Sequence, residues 1–70
     1  MTEEEAKTII EKVRQTKHKS DDFVSYHIKR MYVEFGGKWD YKRAQEYINA
    51  VVAEEDMREL VNYTTEEVDN

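Results

Sequence analysis

The chain contains no proline, and its only two glycines sit side by side as Gly36-Gly37. Proline is the residue that removes a backbone donor and clashes with the preceding helical turn, and glycine is the usual left-handed stop. A sequence with one such break favours long helices on either side of it. This restriction, more than any composition figure, sets the fold class.

Capping chemistry divides the chain further. Thr2-Glu3-Glu4-Glu5 opens a helix, because Thr2 can accept from the amide three residues on and Glu5 can reach back in a capping box. The three carboxylates suit the positive end of the helix dipole. Ala6, Ile9, Ile10 and Val13 follow at i, i+3, i+4 and i+7, and Lys17-His18-Lys19 places cations at the carbonyl end. Ser20-Asp21-Asp22 supplies a second cap, with Ser20 as the capping residue. Phe23, Val24, His27, Ile28, Met31, Tyr32 and Phe35 then form a band widened by Tyr26 and Val33. A helix apolar over so much of its circumference belongs in the middle of a bundle or at an interface. A strand over residues 26–35 fits the β-branched and aromatic content, but the spacing follows 3.6 better than 2, and no partner hairpin flanks it. Asp40 caps a third helix, with Tyr41, Ala44, Tyr47, Ile48, Val51 and Val52 along one face. Ala53-Glu54-Glu55-Asp56 either interrupts this helix or continues it.

These signals predict an all-α protein, a compact three- or four-helix bundle, with helices near 3–18, 21–35 and 41–53 and a shorter one near 55–64. The second helix is expected to be the central element. Residues 1–64 form a single domain, and 65–70 are expected to be a mobile acidic tail. The expected core comprises Ile9, Ile10, Val13, Phe23, Ile28, Met31, Phe35, Ile48, Val51 and Leu60. A chain of 70 residues buries only roughly 60% of its unfolded surface. With no cysteine, disulfides and thiolate zinc sites are unavailable, so self-association, a homodimer for instance, is open as a source of support.

Charge is unevenly distributed within a net −5. Residues 17–43 hold seven cations (Lys17, Lys19, Lys29, Arg30, Lys38, Lys42, Arg43) against Asp21, Asp22, Glu34 and Asp40, a balance of +3. Residues 44–70 hold eight acids (Glu46, Glu54, Glu55, Asp56, Glu59, Glu66, Glu67, Asp69) against Arg58 alone, a balance of −7. Three readings compete. The plainest is internal neutralisation: the basic middle offsets the acidic end within one fold, leaving solvated faces. In the second, Glu54, Glu55, Asp56 and Glu59, with Tyr47 and Tyr63 as exposed rings among them, contact a basic surface on another protein and occlude a nucleic-acid groove by imitating phosphate. In the third, Lys38, Lys42 and Arg43 bind nucleic acid directly near the start of the third helix, in the manner of a helix-turn-helix regulator. The net negative charge opposes that last reading at long range.

Nothing in the chain frames a catalytic, metal or cofactor site. His18 and His27 lie outside any HExxH or carboxylate pattern; His27 is expected at the core edge with a hydrogen bond, and His18 at a solvated helix end. Glu54-Glu55-Asp56 lacks the spacing and glycine of a calcium loop. Trp39 is expected to cover one end of the bundle. No run of about 18 apolar residues is present, and the first residues are acidic rather than basic, so no membrane span or leader is expected and the location expected is cytoplasmic. The expectation is a non-enzymatic binding protein without cofactor.

Overall fold

The capping box closes as its residues require: the Glu5 amide donates to Thr2 Oγ1 at 3.2 Å, and the Thr2 amide donates to Glu5 Oε1 at 3.3 Å. In the computed structural model, which describes the backbone of residues 1–69 and the side chains of residues 1–58, this box starts the first of three helices. They are α1, Glu3–Thr16, α2, Phe23–Glu34, and α3, Tyr41–Asp69. No strand occurs among the described residues. The chain is a small all-α bundle.

Each short helix ends by a specific device. α1 stops at Thr16, two residues before the expected end, because His18 adopts a left-handed φ of 55° and the Lys19 amide turns back to the Arg14 carbonyl at 2.9 Å. That six-to-one bond closes a Schellman motif with histidine where glycine is usual. α2 ends the same way with glycine: Gly36 and Gly37 take φ of 78° and 84°, and the Gly37 amide reaches the Tyr32 carbonyl at 2.7 Å. The start of α2 differs from expectation. Ser20 does not cap it; the Ser20 hydroxyl donates to the Asp22 carboxylate, and Asp22 occupies the cap position with no side-chain bond to the helix. Asp40 does cap α3, accepting from the Arg43 amide at 2.9 Å.

The expected fourth helix over 55–64 is absent as a separate element, since α3 runs unbroken through Ala53-Glu54-Glu55-Asp56. Alanine and glutamate are good helix formers and no glycine or proline intervenes. Glu54 and Arg58 add an i,i+4 pair at 2.7 Å across the supposed join. At about 1.5 Å rise per residue, α3 is about 43 Å long. The backbone of residues 65–69, expected to be a mobile tail, continues α3 as far as Asp69, and Asn70 lies outside the described residues.

The core is formed by Ala6 and Ile10 of α1, Ile28 and Met31 of α2, and Ile48 of α3, with Ala44 and Val51 also buried. Ile9, Val13, Phe23 and Phe35, expected inside, are half-buried at its margin. Leu60 lies outside the described side chains. α1, rather than α2, is the central helix: it packs against both others, while α2 and α3 approach each other only loosely. Trp39 closes one end as expected. Its Nε1 donates to the Met1 carbonyl at 3.0 Å, and its ring stacks edge-on against Phe35 at 5.5 Å. Tyr32 reinforces that end by donating its hydroxyl to Glu3 at 2.7 Å.

Candidate functional site

The acidic residues singled out in the sequence lie on α3, where successive residues are about 100° apart around the axis, so Glu54, Glu55 and Asp56 face three directions. Glu55 turns inward. It is only 8% exposed, and its Oε2 lies 2.9 Å from Lys19 Nζ, with Arg58 further off at 3.7 Å. Asp56 is exposed and meets Lys17 Nζ at 3.2 Å. Glu54 is exposed and pairs along the helix with Arg58. All three carboxylates therefore have cationic partners in the chain, and two of those partners, Lys17 and Lys19, follow the end of α1. The basic middle and the acidic end meet here as a clamp between α1 and α3.

Tyr47, expected to be an exposed ring among the acids, is half-buried instead. Its hydroxyl lies 2.8 Å from His27 Nδ1, bridging α3 to α2, and the two rings meet edge-on at 5.7 Å. Phe23 and Tyr26 also stand edge-on to the imidazole, at 4.6 and 5.1 Å. The sequence places His27 correctly at the core edge with a hydrogen bond, but it does not reveal the partner, which lies 20 residues away. Glu59 and Tyr63 have side chains outside the described residues. His18 is exposed, as expected.

The environment of His27 gives a pH dependence. Burial lowers its pKa below the usual 6.5, Arg30 adds to that effect, and Glu55 and Glu54 oppose it more weakly. Between the depressed folded value and the ordinary unfolded value, the unfolded chain binds more protons, so protonation favours unfolding. The contribution is complete above about pH 6.5 and is lost as pH falls through the folded value. Thermal melts are expected to show decreasing stability from pH 7 towards about pH 5, and His27→Gln should flatten that interval. An unchanged slope in the variant would assign it to other groups.

The basic candidates occupy the other end of the molecule. Lys38 lies in the α2–α3 connection, while Lys42 and Arg43 lie in the first turn of α3, and all three are exposed. Arg43 sits 3.9 Å from Asp40, its own helix cap, whereas Lys38 and Lys42 have no ion-pair partner among the described residues. They line a shallow groove with Phe35, Trp39, Asp40 and Tyr41. Two large apolar side chains of α2, Tyr26 at 54% and Val33 at 79% exposed, also face solvent. The sequence grouped them with the buried band.

Among the described residues no three His, Asp or Glu side chains converge as a metal site, and no helix is long and apolar enough to cross a membrane. Comparison of the chain with protein-family profiles, curated proteins and solved structures finds no match.

Proposed function

We propose that the protein is a non-enzymatic regulator that lays the acidic length of α3 against a basic surface of a larger protein, occupying a groove that otherwise takes nucleic acid. The observation that carries this reading is the continuity of α3. The residues giving the −7 balance after residue 43 fall on one unbroken helix instead of on two elements joined by a turn. A rod of about 43 Å with a net negative charge matches a length of phosphate backbone in span and sign. Opposite charge accelerates association and disfavours wrong partners.

The contact set proposed is smaller than the full acidic run. Glu55 is committed to Lys19 inside the fold, and Tyr47 to His27, so neither is available to a partner without local disruption. Glu54 remains exposed, Asp56 is exposed but held by Lys17, and Glu46 is exposed with no ion-pair partner among the described residues. Glu59 and Tyr63 continue the candidate set on sequence grounds. Affinity capture from the source cell at low salt tests the proposal. The triple reversal of Glu46, Glu54 and Glu59 to lysine should lose the captured protein, and raising the salt should weaken capture by the wild type. Undiminished capture by the triple variant would overturn it.

Direct phosphate binding through Lys38, Lys42 and Arg43 is the second reading. It is favoured by Lys38 and Lys42, which have no ion-pair partner among the described residues and share a groove with the exposed Tyr41. A gel shift with duplex DNA at low salt separates the two readings, since the first expects none.

A further inference from the structure

α2 is apolar on two opposite sides, and only one of them is used by the core. At about 100° per residue, Ile28 and Met31 fall on one side of the helix, while Tyr26 and Val33, seven residues apart, fall within about 20° of each other on the other. A helix with so wide an apolar band is suited either to the centre of a bundle or to an interface. The packing disfavours the first option, because α1 packs closely on both neighbours, whereas α2 packs closely on α1 and meets α3 more loosely, with His27 against Tyr47. Tyr26 and Val33 are thus left at 54% and 79% exposure; Tyr26 meets His27 edge-on and accepts from Arg30 through its hydroxyl, but more than half of each residue stays open to solvent.

Cations flank this pair. Lys29 and Arg30 lie between Tyr26 and Val33 on the same stripe; Arg30 holds Glu34 at 3.4 Å, and Lys29 has no ion-pair partner among the described residues. Lys29, unneutralised beside the two apolar side chains, favours an occupant that is acidic as well as partly apolar. The same stripe of another α2 would set these cations against each other. The chain itself carries the complementary charge: beyond the internally paired Glu54, Glu55 and Asp56, α3 adds Glu46, exposed and without an ion-pair partner among the described residues, and the sequence adds Glu59, Glu66, Glu67 and Asp69. It also has few other means of support, with seven buried apolar side chains among the described residues and no cysteine. We infer that the outward face of α2, centred on Tyr26 and Val33, seats the acidic α3 of a second copy of this chain.

Two such contacts related by a twofold axis close a dimer, and one repeated head to tail extends it. This self-association uses the same helix as the proposed partner contact and would compete with it, but it needs no foreign protein, so it is tested with the purified chain alone. Sedimentation equilibrium from about 10 μM to about 1 mM should show concentration-dependent association that weakens as salt is raised. Lys29→Glu with Arg30→Glu, and separately Val33→Lys, should each weaken it by about tenfold or more while leaving the helical circular dichroism unchanged, because these side chains lie outside the core. In a mixture of isotopically labelled and unlabelled chains, zero-length carbodiimide coupling should join Lys29 of one copy to a carboxylate from residues 44–70 of the other. A monomer throughout at low salt would overturn the inference. So would association indifferent to both variants, or association strengthened by the charge reversal, which would indicate α2 pairing with α2.

Discussion

Truncating Ile10 to alanine is expected to destabilise the protein by about 2–5 kcal/mol. Ile10 is fully buried on the central helix, in the cluster that also holds Ile28, Met31 and Ile48 from the other two helices. Removing its outer methyl groups forfeits contacts with several neighbours at once, and a cavity there must be closed by moving both α2 and α3 against α1. Small domains have total stabilities near the bottom of the roughly 5–15 kcal/mol range, so the loss is a large fraction of the whole. Urea denaturation measures it, with Met57→Ala as the control. Met57 is 66% exposed, and its truncation should fall within about 0.5 kcal/mol of the wild type. Equal effects at the two positions would mean that α1 does not carry the core.

The second large effect concerns the clamp between α1 and α3. Replacing Lys19 with methionine keeps most of the apolar stem but removes the charge that faces Glu55. A carboxylate 8% exposed is then left with only Arg58 at 3.7 Å. Breaking a fully buried pair costs roughly 3–5 kcal/mol; Lys19 keeps about a third of its own exposure, so a loss on the order of 2 kcal/mol is expected. The double variant Lys19→Met with Glu55→Leu should recover most of that loss, because desolvation of the orphaned charge is the larger part of the penalty. Chemical denaturation of the two single variants and the double variant gives the coupling directly. A Lys19→Met protein as stable as the wild type would show that Glu55 reaches water without its partner.

Local signals were legible in the sequence wherever their cause was local. The Thr2–Glu5 box, the Asp40 cap and the Gly36-Gly37 stop each depend on residues within a few positions of one another, and each forms as its chemistry dictates. The stripes of α1 and α3 likewise identify Ile10, Ile48 and Val51 as buried. The left-handed turn at His18 was not legible, because histidine has no intrinsic need for that conformation; it is imposed by the path from α1 into α2. The choice of central helix failed for a related reason. The width of an apolar band shows how much surface a helix offers, not how many neighbours accept it. α1, whose narrower stripe buries Ala6 and Ile10, packs closely on both neighbours, and α2 is left with Tyr26 and Val33 largely exposed.

The charge pattern shows the same division. Segment balances correctly indicated that the basic middle and acidic end are complementary, and part of that complementarity is satisfied internally through Lys17, Lys19, Glu55 and Asp56. Which acids are consumed in this way depends on the azimuth of each around α3 and on where α1 ends. The azimuth is encoded once α3 is continuous: Glu55 follows Ala44, Ile48 and Val51 on the buried stripe. The end of α1 at the left-handed His18 is not. The Tyr47 assignment failed similarly: neighbouring acids suggested exposure, but His27 on α2 accounts for its hydroxyl.

Competition with nucleic acid tests the proposed role most directly. With the protein that α3 captures immobilised on a sensor surface, duplex DNA and single-stranded RNA are each titrated in the presence and absence of this chain. The account predicts mutual exclusion: nucleic acid displaces the wild-type chain, and the chain blocks nucleic acid in return. A stable ternary complex with both bound would contradict occupation of the groove and leave α3 without the part assigned to it.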